Sequence, residues 1–149
     1  MILDTLNQFC SAVALNTGGA GTYLVGDVID TLETTMKFGS DNIYLVIAVQ
    51  TTAGSGGSAT GQFILASDAQ AAIATDGSAT EHFASAAIPV ATLVAGYQIC
   101  AIELPRGNYE RYIGILQTTG TAAFNAGKIN AFLTNDPVAH NILPATFQV

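Results

Sequence analysis

From residue 22 onward the chain is a succession of short segments rich in Val, Ile and Thr, each closed by Gly, Pro or Asn. Thr22–Leu32 opens the series. Ile43–Thr52 is its clearest member and is apolar at both parities, which marks a central strand covered on both faces. Ala53–Thr60 is a Gly/Ser loop, and Gly61–Ala66 alternates with Phe63 and Leu65 on one face. Glu81–Ile88, Tyr97–Leu104, Arg111–Thr119 and Lys128–Thr134 follow, separated by turn text such as Pro105-Arg106-Gly107-Asn108 and Asn125-Ala126-Gly127. Segments of this length with this punctuation predict an all-β fold, an antiparallel sandwich, with helix confined to the first residues or to the Ala-rich stretch Ser67–Ala79.

The two ends read differently. Ile2, Leu3, Leu6, Phe9 and Val13 recur at three- and four-residue spacing, and Asn16 to Gly21 is a glycine-rich hinge. Residues 1–21 are therefore expected to form an extended N-terminal arm, with the sandwich domain in 22–136. After Asp136, Pro137 and Pro144 exclude helix and central strand, so 137–149 is expected to be an irregular tail ending in Phe147-Gln148-Val149. An apolar terminus docks on something, either its own domain or a neighbour.

Composition narrows the function classes. Only 10% of the 149 residues are charged, half are hydrophobic, and the formal net charge is −7. Disorder needs the opposite balance. Lys37, Arg106, Arg111 and Lys128 are the whole cationic complement, too few to follow a phosphate backbone, so no nucleic-acid partner is expected. The most apolar stretch, Ala84–Leu104, is interrupted by Pro89, Gly96, Gln98 and Glu103 and reads as two strands and a turn, so no membrane span is expected either. The opening Met1-Ile2-Leu3-Asp4 has no basic segment before an apolar run, as a secretory signal would. Cys10 and Cys100 are accordingly expected to be free, reduced and buried.

No catalytic constellation emerges. Gly18-Gly19-Ala20-Gly21 lacks the Lys-Ser/Thr of a phosphate loop. His82 and His140 belong to no metal-ligand spacing, and the two cysteines stand alone. Ser67 and Ser85 lack a Gly-x-Ser-x-Gly setting. The expectation is a protein that is not an enzyme, with no metal site and no cofactor. Candidate functional residues are instead those suited to an interface: the apolar Ile2, Leu3, Leu6 and Phe9 of the arm, Phe147 of the tail, and Arg106, Tyr109 and Arg111 around one turn. Arg111 either pairs with Glu110 or Glu103 or grips a partner's carboxylate.

Several stretches carry a resemblance. Met1-Ile2-Leu3-Asp4 with Leu6 and Phe9, the run Ile88-Pro89-Val90-Ala91-Thr92-Leu93-Val94-Ala95-Gly96-Tyr97, Leu104-Pro105-Arg106-Gly107, Glu110-Arg111-Tyr112-Ile113 and Ala126-Gly127-Lys128-Ile129-Asn130-Ala131 resemble small capsid cement (decoration) proteins of tailed bacteriophages. The resemblance implies a jelly-roll-like sandwich on the outer surface of the virion capsid, made in the host cytoplasm. Its implied partners are the phage major capsid protein, whose neighbouring subunits it clamps, and its own copies in a homodimer or homotrimer. The alternative class is a carbohydrate- or ligand-binding sandwich module of a virion or cell surface.

Overall fold

The computed structural model describes residues 5–32, 36–38 and 42–137, the side chains of 36–38 excepted. Among them 60% are in strands and 2% in helix, the latter a 3₁₀ turn at Thr5–Asn7. The strands are β1 (Gln8–Ala14), β2 (Gly21–Asp30), β3 (Met36–Phe38), β4 (Tyr44–Ser55), β5 (Thr60–Asp68) and β6 (Thr80–Ala84). After them come β7 (Ile88–Pro89), β8 (Gln98–Glu103), β9 (Gly107–Tyr109), β10 (Tyr112–Gly120) and β11 (Phe124–Thr134). None of the described helical residues forms a helix long and apolar enough to cross a membrane.

Two antiparallel sheets face each other. One has the order β1-β11-β4-β8, and the other the order β2-β10-β5-β6 with β7 beside β5. Set aside the short β3, β7 and β9, and the remaining strands run first-last-third-sixth in one sheet and second-seventh-fourth-fifth in the other. That connectivity is a jelly roll. Inward-facing Phe63 and Leu65 of β5, Ile113 and Ile115 of β10, Leu45 and Ile47 of β4, and Ile129 and Ala131 of β11 form the shared core. In β4, consecutive Leu45, Val46 and Ile47 are all buried, as expected of a doubly covered strand.

The N-terminal residues depart from the expected arm. Gln8–Ala14 is the edge strand of the first sheet, with Cys10 opposite Ala131 and Val13 opposite Ile129. Phe9 is only 1% exposed and packs in the core with Cys10 and Leu15. It is therefore not an interface residue. The glycine hinge is equally fixed. Leu15 N–H donates to Gly127 O at 3.0 Å. The fully buried Gln117 accepts from Asn16 N–H at 2.9 Å and donates to Asn16 O at 3.2 Å and to Thr119 Oγ1 at 2.8 Å. A buried amide with these partners takes the place of strand pairing where the chain crosses from one sheet to the other.

The packing of β2 against β1 depends on Gly26. Its φ is +78°, and a Cβ there would lie 2.2 Å from Phe9 O and 2.5 Å from Cys10 Sγ. Glycine thus supplies both a left-handed bulge in β2 and the room for β1 to pass. Cys10 and Cys100 are free and buried. Burial pushes their thiols up to about 12 and about 11, so both are protonated and unreactive at neutral pH. The tail residues 138–149, Phe147 included, lie outside the described residues, as do Ile2 and Leu3.

Two outcomes follow from β1 being part of the core. Phe9→Ala should cost about 3–5 kcal/mol in urea unfolding, the range for emptying a phenylalanine site. A chain lacking residues 1–15 should lose its cooperative thermal transition, which a dispensable arm would leave intact.

Candidate functional site at one end of the roll

The predicted interface residues separate into three groups. Leu6 is 77% exposed, on the 3₁₀ turn that leads into β1. Tyr109 is fully buried and is thus core, not interface. Its ring stacks on His82 with centroids 3.6 Å apart, and its hydroxyl donates to Pro105 O at 2.8 Å. Arg106 is exposed in the turn before β9.

Arg111 grips neither Glu110 nor Glu103. Its Nε and Nη2 donate to the two oxygens of Asp30 at 2.8 and 2.9 Å, and its guanidinium lies 5.1 Å from the centre of the Tyr112 ring. The fork commits the Nε–H and one Nη2–H of Arg111 to its own chain. The pair ties β10 to the end of β2. Hydrogen bonds from Arg111, with a second from Leu32 N–H, hold the Asp30 carboxyl below its ordinary range.

That arrangement shapes a residue the sequence did not single out. Leu32 N–H donates to Asp30 Oδ1 at 2.9 Å, and Thr31 donates to Arg111 O through both its N–H and its Oγ1 at 2.9 Å. With its own N–H and the preceding Thr31 both held, Leu32 sits at φ +62° with its side chain 78% exposed. A leucine in left-handed backbone is strained, and such strain persists only where the surroundings impose it. The local signal is Asp30 two residues earlier, an Asx turn.

Leu6 and Leu32 adjoin a common pit. Their chain neighbours Asn7 and Thr31 line a recess of about 210 Å³ whose walls are Ile29, Ile43, Ile113 and Leu133, with Asn135 at its edge. An apolar recess lined also by Asn7, Thr31 and Asn135, with an exposed leucine next in sequence to two of them, has the composition of an interface centre. Val94, 46% exposed, lies in the turn that follows β7, whose neighbour Leu93 bonds to Ala53 at the far end of β4.

A second polar cluster superficially suggests catalysis. Ser67 Oγ and His82 Nε2 are 2.8 Å apart, and Ser67 Oγ accepts Glu110 N–H at 3.0 Å. Ser67 is fully buried, so no substrate carbon can reach its hydroxyl. The cluster is a staple. Ser67 on β5 holds His82 of β6 and the segment after β9, and Thr80 Oγ1 adds a bond to Glu110 Oε1 at 2.8 Å. Among the described residues, no group of three or more His, Cys, Asp or Glu is placed to hold a metal ion.

A family model, Bbp16, matches residues 12–133. The chain belongs to the Bbp16 family. The matched stretch runs from within β1 to the penultimate residue of β11, so it contains nearly the whole roll but only the last three residues of β1. No curated protein matches the chain. Leu32, Thr31 and the walls of the pit fall inside the Bbp16 stretch, whereas Leu6 precedes it.

The staple makes a pH prediction. Burial lowers the His82 proton affinity below its ordinary value of 6.5, against an opposing pull from the Glu110 charge. The folded state then binds fewer protons than the unfolded one. The contribution is present above about pH 6.5 and is lost as pH falls through that value toward the depressed one. Thermal unfolding followed from about pH 7.5 to about pH 5 should show a loss of stability that is smaller in His82→Phe. Asp30 and Asp76, both held below 3.8, act only at lower pH, so the two windows separate.

Proposed function

We propose that this Bbp16-family protein is a capsid decoration protein of a tailed phage. It binds the outside of an icosahedral head as a homodimer or homotrimer and clamps neighbouring major capsid subunits. The observation that carries the reading is the end of the roll bearing Leu6, Leu32 and the apolar pit. Soluble domains seldom expose large apolar side chains close to an apolar recess unless a partner covers that surface. Here the backbone is strained to hold one of them out. The resemblance in the Ile88–Tyr97 and Leu104–Ile113 stretches supplies the identity of the partner.

The rest of the molecule suits the role. A clamp gains from a rigid body, and the jelly roll has its sheets tied together by β1 and by Gln117, while the Ser67–His82 staple fixes β6 and the segment after β9 to β5. A net charge of −7 with few cations keeps such a protein off packaged nucleic acid. The pit accepts one aliphatic or aromatic side chain of the capsid subunit, with Leu6 and Leu32 excluding water around it.

The test is cosedimentation with decoration-free heads of the phage that encodes the chain, followed by electron microscopy. Leu6→Asp and Leu32→Asp should each weaken attachment about tenfold or more, since truncating or charging an anchor costs about 2 kcal/mol or more. Their melting temperatures should stay close to that of the parent chain, because both side chains are exposed. Full attachment by the double variant would overturn the reading.

A further inference from the structure

The two facing sheets end in four edge strands, and three of them are guarded. β1 and β2 pack against each other, and β1 is further broken by Ala12 at φ +52°, whose N–H donates to the Asn130 side chain at 2.7 Å. β6 is bulged against β5, and a 2.8 Å bond from Thr80 to Glu110 ties it to the segment after β9. The fourth edge is β8, and among the described residues no strand lies beyond it. Its sequence, Gln98-Ile99-Cys100-Ala101-Ile102-Glu103, contains neither Lys nor Pro, the residues with which natural edges turn away a further strand.

The register fixes which groups this edge leaves open. β8 runs antiparallel to β4, with Ile102 opposite Leu45 and Glu103 opposite Tyr44, and Leu104 N–H donates to Ile43 O at 2.8 Å. Antiparallel pairs alternate, so Ile102 also turns its N–H and C=O toward β4, while Ala101 and Glu103 turn theirs outward. Both of these residues are exposed, and the irregularity of β8 lies before Cys100, which leaves 100–103 as regular strand. Ile102, between them, packs on the rim of the core and is only half-buried.

We propose that β8 pairs with β8 of a second copy, antiparallel about a two-fold axis at Ile102. That register sets Ala101 opposite Glu103 of the second copy and Glu103 opposite its Ala101, so all the outward N–H and C=O groups of 101 and 103 meet in ladder bonds. The two Ile102 side chains face each other at the closely spaced position, where β-branched pairs pack well. The two Glu103 carboxylates stand diagonally, not opposite each other. An edge that pairs with itself is used up in one contact, so the product is a closed dimer and not a trimer or a chain. The inference does not rest on the decoration reading, since it uses none of the residues of the pit and is tested on the free protein.

Sedimentation equilibrium of the full chain should give a monomer–dimer equilibrium in the micromolar range, as befits a small contact. The amide protons of Ala101 and Glu103 should exchange more slowly as the chain is concentrated. Ala101→Pro removes an N–H that its own sheet does not use, so it should raise the dimer dissociation constant about tenfold or more and leave thermal unfolding cooperative. Charge tests the register. Ala101→Glu places a carboxylate opposite Glu103 of the second copy and should weaken the dimer about threefold or more, whereas Ala101→Lys should not weaken it. A chain that stays monomeric at millimolar concentration, a trimer, or equal loss with Glu and Lys at 101 would overturn the proposal.

Discussion

The pairing of the first long strand with the last is the contact on which the rest of the structure depends. β1 hydrogen-bonds to β11 and passes against β2 at Gly26, so it belongs to one sheet and closes the gap to the other. Phe9 and Leu15 fill the core from this strand. Remove it and β11 becomes an unpaired edge, β2 loses the strand that packs across Gly26, and the space held by Phe9 opens to water. Edges of that kind are prone to pairing with other chains. The roll therefore depends on a segment whose local sequence, a few apolar residues before a run of glycines, carries no mark of that importance.

Polar groups inside the roll serve the same end. Gln117 and Ser67 are both fully buried, and each satisfies backbone atoms of a segment that leaves a sheet. Gln117 takes both backbone groups of Asn16, and Ser67 takes the N–H of Glu110 while meeting His82. An unsatisfied buried group would cost about 1–3 kcal/mol, so these side chains are tolerated in the interior only because the crossings need them. The stacked pair His82–Tyr109 then covers the Ser67 bond from solvent. The result is a connection between β9 and the sheet that is rigid near neutral pH and titrates on the acid side of it.

Sheet content was legible in the sequence because alternation and β-branching are local. Leu45, Val46 and Ile47 announce a doubly covered strand without any knowledge of what covers them. The N-terminal strand was not legible, because the partners of Leu15 and Asn16 are Gly127 and Gln117, more than a hundred residues away. Read alone, Asn16 to Gly21 is a hinge. Tyr109 misled for a related reason. Tyrosine beside two arginines has the composition of an interface, and only the stacking on His82 reveals it as core. Arg111 finds its carboxylate on Asp30, 81 positions earlier. Leu32 escaped notice because exposure is a property of the turn, set by Asp30 and Arg111, and not of the leucine.

The outer face of the second sheet shows how a two-layer fold handles an apolar row without a third layer. Leu24, Leu116 and Ile64 point away from the core, and a chain as poor in charge as this one would leave them wet on a bare sheet. A strap of irregular backbone, residues 69–79, covers them with Ile73 and Ala79, and the deep seat of Ile73 needs a position without a side chain beneath it, which Gly114 supplies. The strap stops short of the row formed by Thr22, Thr118 and Gln62. That row tolerates water, so further cover would bring little hydrophobic gain and would bury hydroxyls that need partners. The boundary between covered and open sheet thus follows the change from leucine to threonine in the register, and a groove at that boundary is the geometric consequence.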